Sequence, residues 1–174
     1  MDYNVNGNRT MSSIIKVDTI QNAAGGVPTA GDLGLNTTGT VLQTVQGSLN
    51  SSDNGGFFLT TTSYTFTSAV LNASITPSSS NSKILITVMC QTYGEGACTV
   101  YRGGTRLGDS NYGFGRFQYG SNGWKNQNYV YLDSPSTTSS VTYTLYGKST
   151  AGGTVYIGGD LSIPNTITLM EIAG

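Results

Sequence analysis

Apolar and polar residues alternate along most of the chain from residue 41 onward, and no window shows the spacing of an amphipathic helix. Alternation of this kind is typical of β-strands that bury one face. The clearest case is Lys83–Tyr93, where the even-numbered residues from Ile84 to Cys90 would share one face. The pattern therefore predicts an all-β domain.

Turn-forming residues separate the predicted strands, and their spacing is typical of a two-layer fold. We expect Ala97–Arg102 to pair with Lys83–Tyr93 across the turn at Gly94–Gly96. The spacing predicts an antiparallel β-sandwich or jelly roll. The predicted strands are Val41–Gln46, Phe57–Thr62, Tyr64–Phe66, Ala69–Ile75, Lys83–Tyr93, Ala97–Arg102, Asn128–Leu132, Val141–Lys148, Thr154–Ile157 and Thr166–Ile172.

The last predicted strand is apolar on both faces. Ile167 and Leu169 lie on one side of it, and Met170 and Ile172 lie on the other. A strand with two apolar faces is expected to be central in its sheet or buried against another subunit. These four residues are therefore candidates for subunit packing.

Residues 1–40 differ from the rest of the chain. Their one apolar island is followed by a Gly-, Asn- and Thr-rich stretch that cannot bury a core alone. We therefore divide the chain into an N-terminal arm, residues 1–40, and a β-domain, residues 41–174. The arm is either a flexible tail or a short extended anchoring segment that orders against partners. The anchoring candidates are Ile14, Ile15, Lys16, Val17, Asp18 and Ile20.

Charge and hydropathy narrow the choice of partners. The net charge is −1 and no basic run is present, which argues against a nucleic-acid partner. No apolar stretch is long enough for membrane insertion. The first residues lack the basic and apolar regions of a secretory signal, so we expect the protein to stay in the cytoplasm of the producing cell until it is assembled.

The residue types present do not suggest catalysis. The chain has no histidine, which removes the commonest general base, and its carboxylates are scattered. The two cysteines, Cys90 and Cys98, would face the same side, as a disulfide or as two free thiols. Without further Cys or His residues they do not predict a metal site. We expect a non-enzymatic protein with no cofactor and no metal.

The loop Asp109–Gln127 is the one candidate binding site, because it is rich in aromatic and amide side chains. Aromatic rings stack on sugar rings and amides bond to hydroxyl groups, so the loop would suit a host glycan. Aromatic residues are also enriched in cores and at subunit interfaces, and that alternative stays open. The residues concerned are Tyr112, Phe114, Phe117, Tyr119, Asn122, Trp124 and Gln127.

Several short segments, in this order, resemble tail-fibre and other appendage structural proteins of marine bacteriophages, particularly those that infect cyanobacteria. The first lies in the arm and the others lie in the β-domain. The matching segments are Ser12–Gly26, Ile75–Ile86, Tyr101–Thr105, Leu132–Pro135, Thr142–Tyr143, Gly152–Val155 and Thr166–Ile172.

The resemblance implies a virion structural protein made in the host cytoplasm. It would be a homotrimer that attaches to other virion proteins by its N-terminal arm and displays its β-domain, with host surface carbohydrate as a further partner. The arm and the β-domain are not separated by a long shaft, so a short tail fibre or knob fits the chain. A capsid decoration protein, as a cement or head-fibre subunit, is the alternative. A polysaccharide-cleaving spike enzyme is the third hypothesis.

Overall fold

The computed structural model describes residues 21, 24–28, 33, 38–49, 59–118, 123–158 and 163–174. The chain divides into two units, Met1–Leu35 and Asn36–Gly174, and the regular structure of the described ranges lies in the second and consists of strands. They are β1 (Val41–Leu49), β2 (Leu59–Thr61), β3 (Thr67–Ile75), β4 (Lys83–Tyr93), β5 (Gly96–Arg102), β6 (Thr105–Arg106), β7 (Gly115–Phe117), β8 (Lys125–Asp133), β9 (Val141–Ser149), β10 (Val155–Ile157) and β11 (Asn165–Ile172).

The strands form two antiparallel sheets. The first sheet contains β1, β2, β4, β8, β10 and β11, and the second contains β3, β5, β6, β7 and β9. Short strands lie end to end along longer ones. β10 and β11 both pair with β4. Beside them, β2 pairs with β10 and β1 pairs with β11. In the second sheet, β6 and β7 share one edge of β5. Each sheet is therefore four strands wide in the described part of the chain.

The pairing order shows that the chain folds as one long hairpin doubled over on itself. The outermost pairs are β1 with β11 and β2 with β10, followed inward by β3 with β9, β4 with β8, and β5 with β6 and β7. The first two pairs lie in the first sheet, and from β3 with β9 inward the pairs alternate between the two sheets. This nested pairing is the arrangement of a jelly roll. The all-β, antiparallel sandwich expected from the sequence is confirmed.

The predicted hairpin between β4 and β5 is wrong. β4 is found with the bounds expected from the sequence, but β5 pairs with β9 in the other sheet. The chain crosses from sheet to sheet at Gly94, which has φ +93° and where a Cβ would lie 2.5 Å from the carbonyl oxygen of Thr154. Both strands carry a buried face, and the crossing lets those faces pack on each other. Tyr64–Phe66, also predicted as a strand, lies between β2 and β3 outside both sheets.

The core lies between the sheets. β11 is central, between β1 and β4, which is one of the two placements that its apolar faces predicted. Cys90 and Cys98 are free and buried there, and the hydrogen bond between them, together with burial, raises the pKa of the Cys98 thiol. The largest fully buried side chains include Leu71, Ile75, Ile84, Ile86, Tyr143, Leu145, Ile157, Ile167 and Leu169.

Candidate functional site

The outer face of the first sheet combines side chains from four strands into one continuous surface. Residues along β4, β8 and β11 alternate between buried and more exposed positions, and those along β1 alternate between partly buried and exposed ones, so every second residue points away from the core. The register aligns these outward residues in rows across the sheet. The rows are Leu132, Leu85, Met170 and Thr44; Val130, Thr87, Thr168 and Gln46; and Asn128, Met89, Thr166 and Ser48.

This surface, which we call the neutral face, carries apolar residues and no charge within those rows. Val130 is 66% exposed and Leu132 is 50% exposed, although both lie in regular strand. Lys83, at the start of β4, is the charged side chain that shares this face in the described strands, whereas Lys125 is exposed on the other side of β8. Sequence reasoning missed Val130 and Leu132, because alternation alone does not tell which face of β8 meets the core.

The acidic residue of β8 points inward, which helps to keep the neutral face uncharged. Asp133 accepts two hydrogen bonds from Nη1 of Arg102, at 3.0 and 2.9 Å, and one from the hydroxyl of Tyr143 at 2.7 Å. Arg102 and Tyr143 belong to the second sheet, so the cluster joins the two layers. Burial and the bond to Asp133 raise the pKa of the Tyr143 hydroxyl well above its usual range.

The acidic residue of β11 is also buried, and its carboxylate accepts hydrogen bonds from neighbouring residues. Glu171 accepts hydrogen bonds from the backbone N–H of Ser78 at 2.7 Å, from the Ser78 hydroxyl at 2.6 Å and from Nε2 of Gln43 at 2.6 Å. Burial opposes ionisation, but these bonds outweigh it, so the pKa of the Glu171 carboxyl lies below its usual value. Asp133 and Glu171 therefore have structural partners.

The side chains of the aromatic loop Asp109–Gln127 lie in several separate environments. Phe117 is 3% exposed and belongs to the core. Phe114 stacks on Tyr131 of β8, with ring centroids 4.8 Å apart and an interplanar angle of 14°. Gln127 is half-buried on β8, opposite Cys90 of β4.

Trp124 lies elsewhere, in an aromatic cluster with Tyr93 and Tyr156 at centroid distances of 5.6 and 6.1 Å. Tyr112 is 44% exposed on the second sheet, close to Lys148. The described residues of the loop therefore do not form one shared site. Tyr119 and Asn122 lie outside the described residues.

The four candidates for subunit packing divide between two environments. Ile167 and Leu169 are fully buried in the core of their own chain, whereas Met170 and Ile172 are partly exposed on the other face of β11. Met170 belongs to the neutral face. The anchoring candidates Ile14, Ile15, Lys16, Val17, Asp18 and Ile20 lie outside the described residues.

Comparison with known proteins adds no relative: no family model matches the chain, and a search of curated proteins finds no match. Within the described ranges, no three His, Cys, Asp or Glu side chains are grouped so that they could hold a metal ion. The same ranges contain no helix that is long and apolar enough to cross a membrane.

Proposed function

We propose that this chain is a structural subunit that acts by assembly and display, and that its jelly-roll domain associates with copies of itself through the neutral face. The observation that carries the proposal is the exposure of Val130 and Leu132 within an uncharged surface four strands wide. Exposed apolar patches of this kind mark protein interaction sites.

A second copy of the chain is the occupant that this surface fits best. Because the rows carry no charge, copies can meet around a rotation axis without placing like charges together. Strands spaced about 4.8 Å apart give a face ~19 Å wide, and the five residues of strand that the three rows span give a length of ~17 Å. That footprint, ~320 Å², is a little under half of the ~800 Å² that each partner contributes to a standard interface.

We place this assembly in a bacteriophage particle, as a short tail-fibre or knob-like subunit. The resemblance of the ordered segments to marine phage appendage proteins supports this setting and a trimer. In the proposal, the N-terminal arm attaches to other virion proteins and the β-domain projects, which leaves its second sheet free to contact the host surface. Chemistry on a substrate has no part in it, since Asp133 and Glu171 already have structural partners.

The assembly is tested by placing charge on the neutral face. We expect the full chain to be trimeric by light scattering coupled to size exclusion, and the double variant Val130→Glu, Leu132→Glu to be a folded monomer. Charge buried at an interface without a partner is strongly unfavourable. Val70→Glu is the matched control, because Val70 is 50% exposed but lies on β3 of the second sheet. A monomeric parent chain, or a double variant that keeps the parent mass, would contradict the proposal.

The setting is tested by immunogold labelling of phage particles. Label at the tail is the expected result for a fibre or knob. Label over the head would instead favour the capsid decoration protein, and particles that carry no label would remove the virion role altogether.

A further inference from the structure

Cations and aromatic rings alternate in a row on the outer side of the second sheet. The guanidinium carbon of Arg106 lies 5.8 Å from the centroid of the Phe66 ring, and Nζ of Lys148 lies 4.9 Å from the same centroid. Lys148 Nζ is also 5.8 Å from the ring centroid of Tyr112, and the guanidinium carbon of Arg116 is 5.8 Å from that ring. These five side chains form what we call the cation–aromatic row.

Well-packed residues hold the cation–aromatic row in place on both sides of Lys148. Tyr112 projects from a tight loop in which Asp109 and Gly113 exchange two backbone hydrogen bonds, at 2.9 and 3.0 Å. Gly113 packs so closely on β5 that a Cβ there would lie 2.7 Å from the carbonyl oxygen of Cys98. Phe66 is 9% exposed and forms the opposite wall. The two rings therefore fix the position of the Lys148 ammonium group between them.

The three cations of the row differ in whether they form an ion pair with an acidic side chain. Arg116 lies 3.8 Å from a carboxylate oxygen of Glu95, whereas Arg106 forms no ion pair within the described ranges. Lys148 is half-buried and forms no ion pair within the described part of the chain. Cation–π contacts stabilise an ammonium group only modestly and do not neutralise it. Among the described residues, the row therefore has two cations without an ion pair, Arg106 at one end and Lys148 at its centre.

We propose that the cation–aromatic row is a binding site for an acidic saccharide, in which Lys148 pairs with a sugar carboxylate and the exposed ring of Tyr112 stacks on a sugar face. The inference rests on the proposed display function, because it assigns a ligand to the sheet opposite the neutral face. Tyr146, two residues before Lys148 on the same side of β9, extends the aromatic surface and stacks on Tyr101 at a centroid distance of 4.1 Å.

The charge balance selects this ligand over more highly charged ones. Two cations without an ion pair match a sugar chain that carries one carboxylate per residue, whereas a nucleic acid needs several clustered cations to neutralise successive phosphates. An aromatic ring that is 44% exposed beside Lys148 offers an apolar surface to the flat face of a sugar. A uronic-acid residue presents both groups within one ring.

The test measures binding of a galacturonic-acid oligosaccharide to the full chain by calorimetry, with a neutral galactose oligosaccharide of equal length and sodium acetate as comparisons. We expect binding of the acidic oligosaccharide only. Lys148→Met, which keeps the apolar stem, and Tyr112→Ala should each weaken it by about tenfold or more, the equivalent of 1.4 kcal/mol. Lys125→Met, which removes an exposed lysine from β8, should leave binding unchanged.

Three results would overturn the inference: no binding to the parent chain, equal binding of the neutral oligosaccharide, or acetate binding as tight as that of the acidic oligosaccharide. Thermal unfolding of Lys148→Met verifies that the variant is folded. Oligomer mass is measured on the same samples, so loss of this site and failure of the assembly are distinguishable. A monomeric parent chain that binds the acidic oligosaccharide would refute the assembly alone.

Discussion

Single buried residues connect loops to the strands of a sheet. Glu171 of β11 ties the loop at Ser78 and the side chain of Gln43 on β1 to one end of the first sheet. Gln43 also donates to the carbonyl oxygen of Thr76 at 2.7 Å, so the carboxylate and the amide form one network. A fully bonded network of this kind stabilises the fold, while one that has lost a partner leaves a buried polar group unsatisfied.

Glu171→Gln should lower the free energy of unfolding by about 1.5–3 kcal/mol at pH 7, because an amide cannot accept from both Ser78 and Gln43 without opposing two donors. The pKa of this carboxyl is lower in the folded than in the unfolded chain. Its contribution is therefore complete above the unfolded pKa of about 4.3 and is lost as the pH falls through the folded value. Urea denaturation of both proteins at pH 7 and pH 3 should show the difference shrinking at the lower pH.

Glu95→Gln provides the control for this comparison, since Glu95 is partly exposed and its ion pair spans 3.8 Å. Its effect should stay within about 1 kcal/mol at pH 7. A difference between parent and Glu171→Gln that is equally large at both pH values would refute the assignment.

At the scale of elements, β3 contains an irregularity that its sequence pattern hides. Ser68 pairs with Tyr146 and Asn72 pairs with Thr144, so the ladder shifts register between them. Val70 lies in the shift with φ +58° and is 50% exposed. This bulge approaches β1 so closely that a Cβ at Gly47 would overlap the carbonyl oxygen of Asn72. Gly47 therefore allows the two layers to meet at this corner.

Val70→Asn should raise the free energy of unfolding by about 0.5–1.5 kcal/mol. A β-branched residue is strained in the left-handed region, whereas Asn is tolerated there. Thr67→Asn, at another exposed position of β3 with ordinary backbone geometry, should not stabilise the fold. Thermal or urea denaturation of both variants measures the contrast, and an unchanged or lower stability of Val70→Asn would exclude strain at this position.

At the scale of the whole molecule, the boundary between the arm and the β-domain lies before the first strand. The N–H of Gly39 donates to the carbonyl oxygen of Ala173 at 2.8 Å, and the N–H of Ala173 donates to the carbonyl oxygen of Thr40 at 2.8 Å. The compact unit begins at Asn36. Residues 38–40 therefore belong with the β-domain in structural terms.

Deletion of residues 1–35 should leave the urea midpoint of the β-domain unchanged and abolish incorporation into phage particles. Deletion of residues 1–40 should additionally lower stability by about 1–3 kcal/mol, because two backbone hydrogen bonds to Ala173 are lost. Denaturation and immunoblotting of purified particles check the two effects separately. Normal incorporation without residues 1–35 would refute the anchoring role of the arm.

The sequence alone determined the fold class and most strand positions. Alternation has a period of two residues, so a strand such as Lys83–Tyr93 is visible locally, and the central position of β11 is one of the two placements that its apolar faces predict. The same local signal predicted the wrong partner for β5. A short turn after a strand does not show whether the chain stays in its sheet or crosses to the other layer.

Tertiary structure alone decided which residues share a surface. The neutral face appears only when the register places Val130 beside Thr87 and Thr168, which belong to different segments of the chain. The cation–aromatic row likewise joins side chains from separate segments, with Lys148 between Phe66 and Tyr112. The physical reason is that a strand's side-chain periodicity is local, whereas pairing and layer packing depend on contacts between distant parts of the chain.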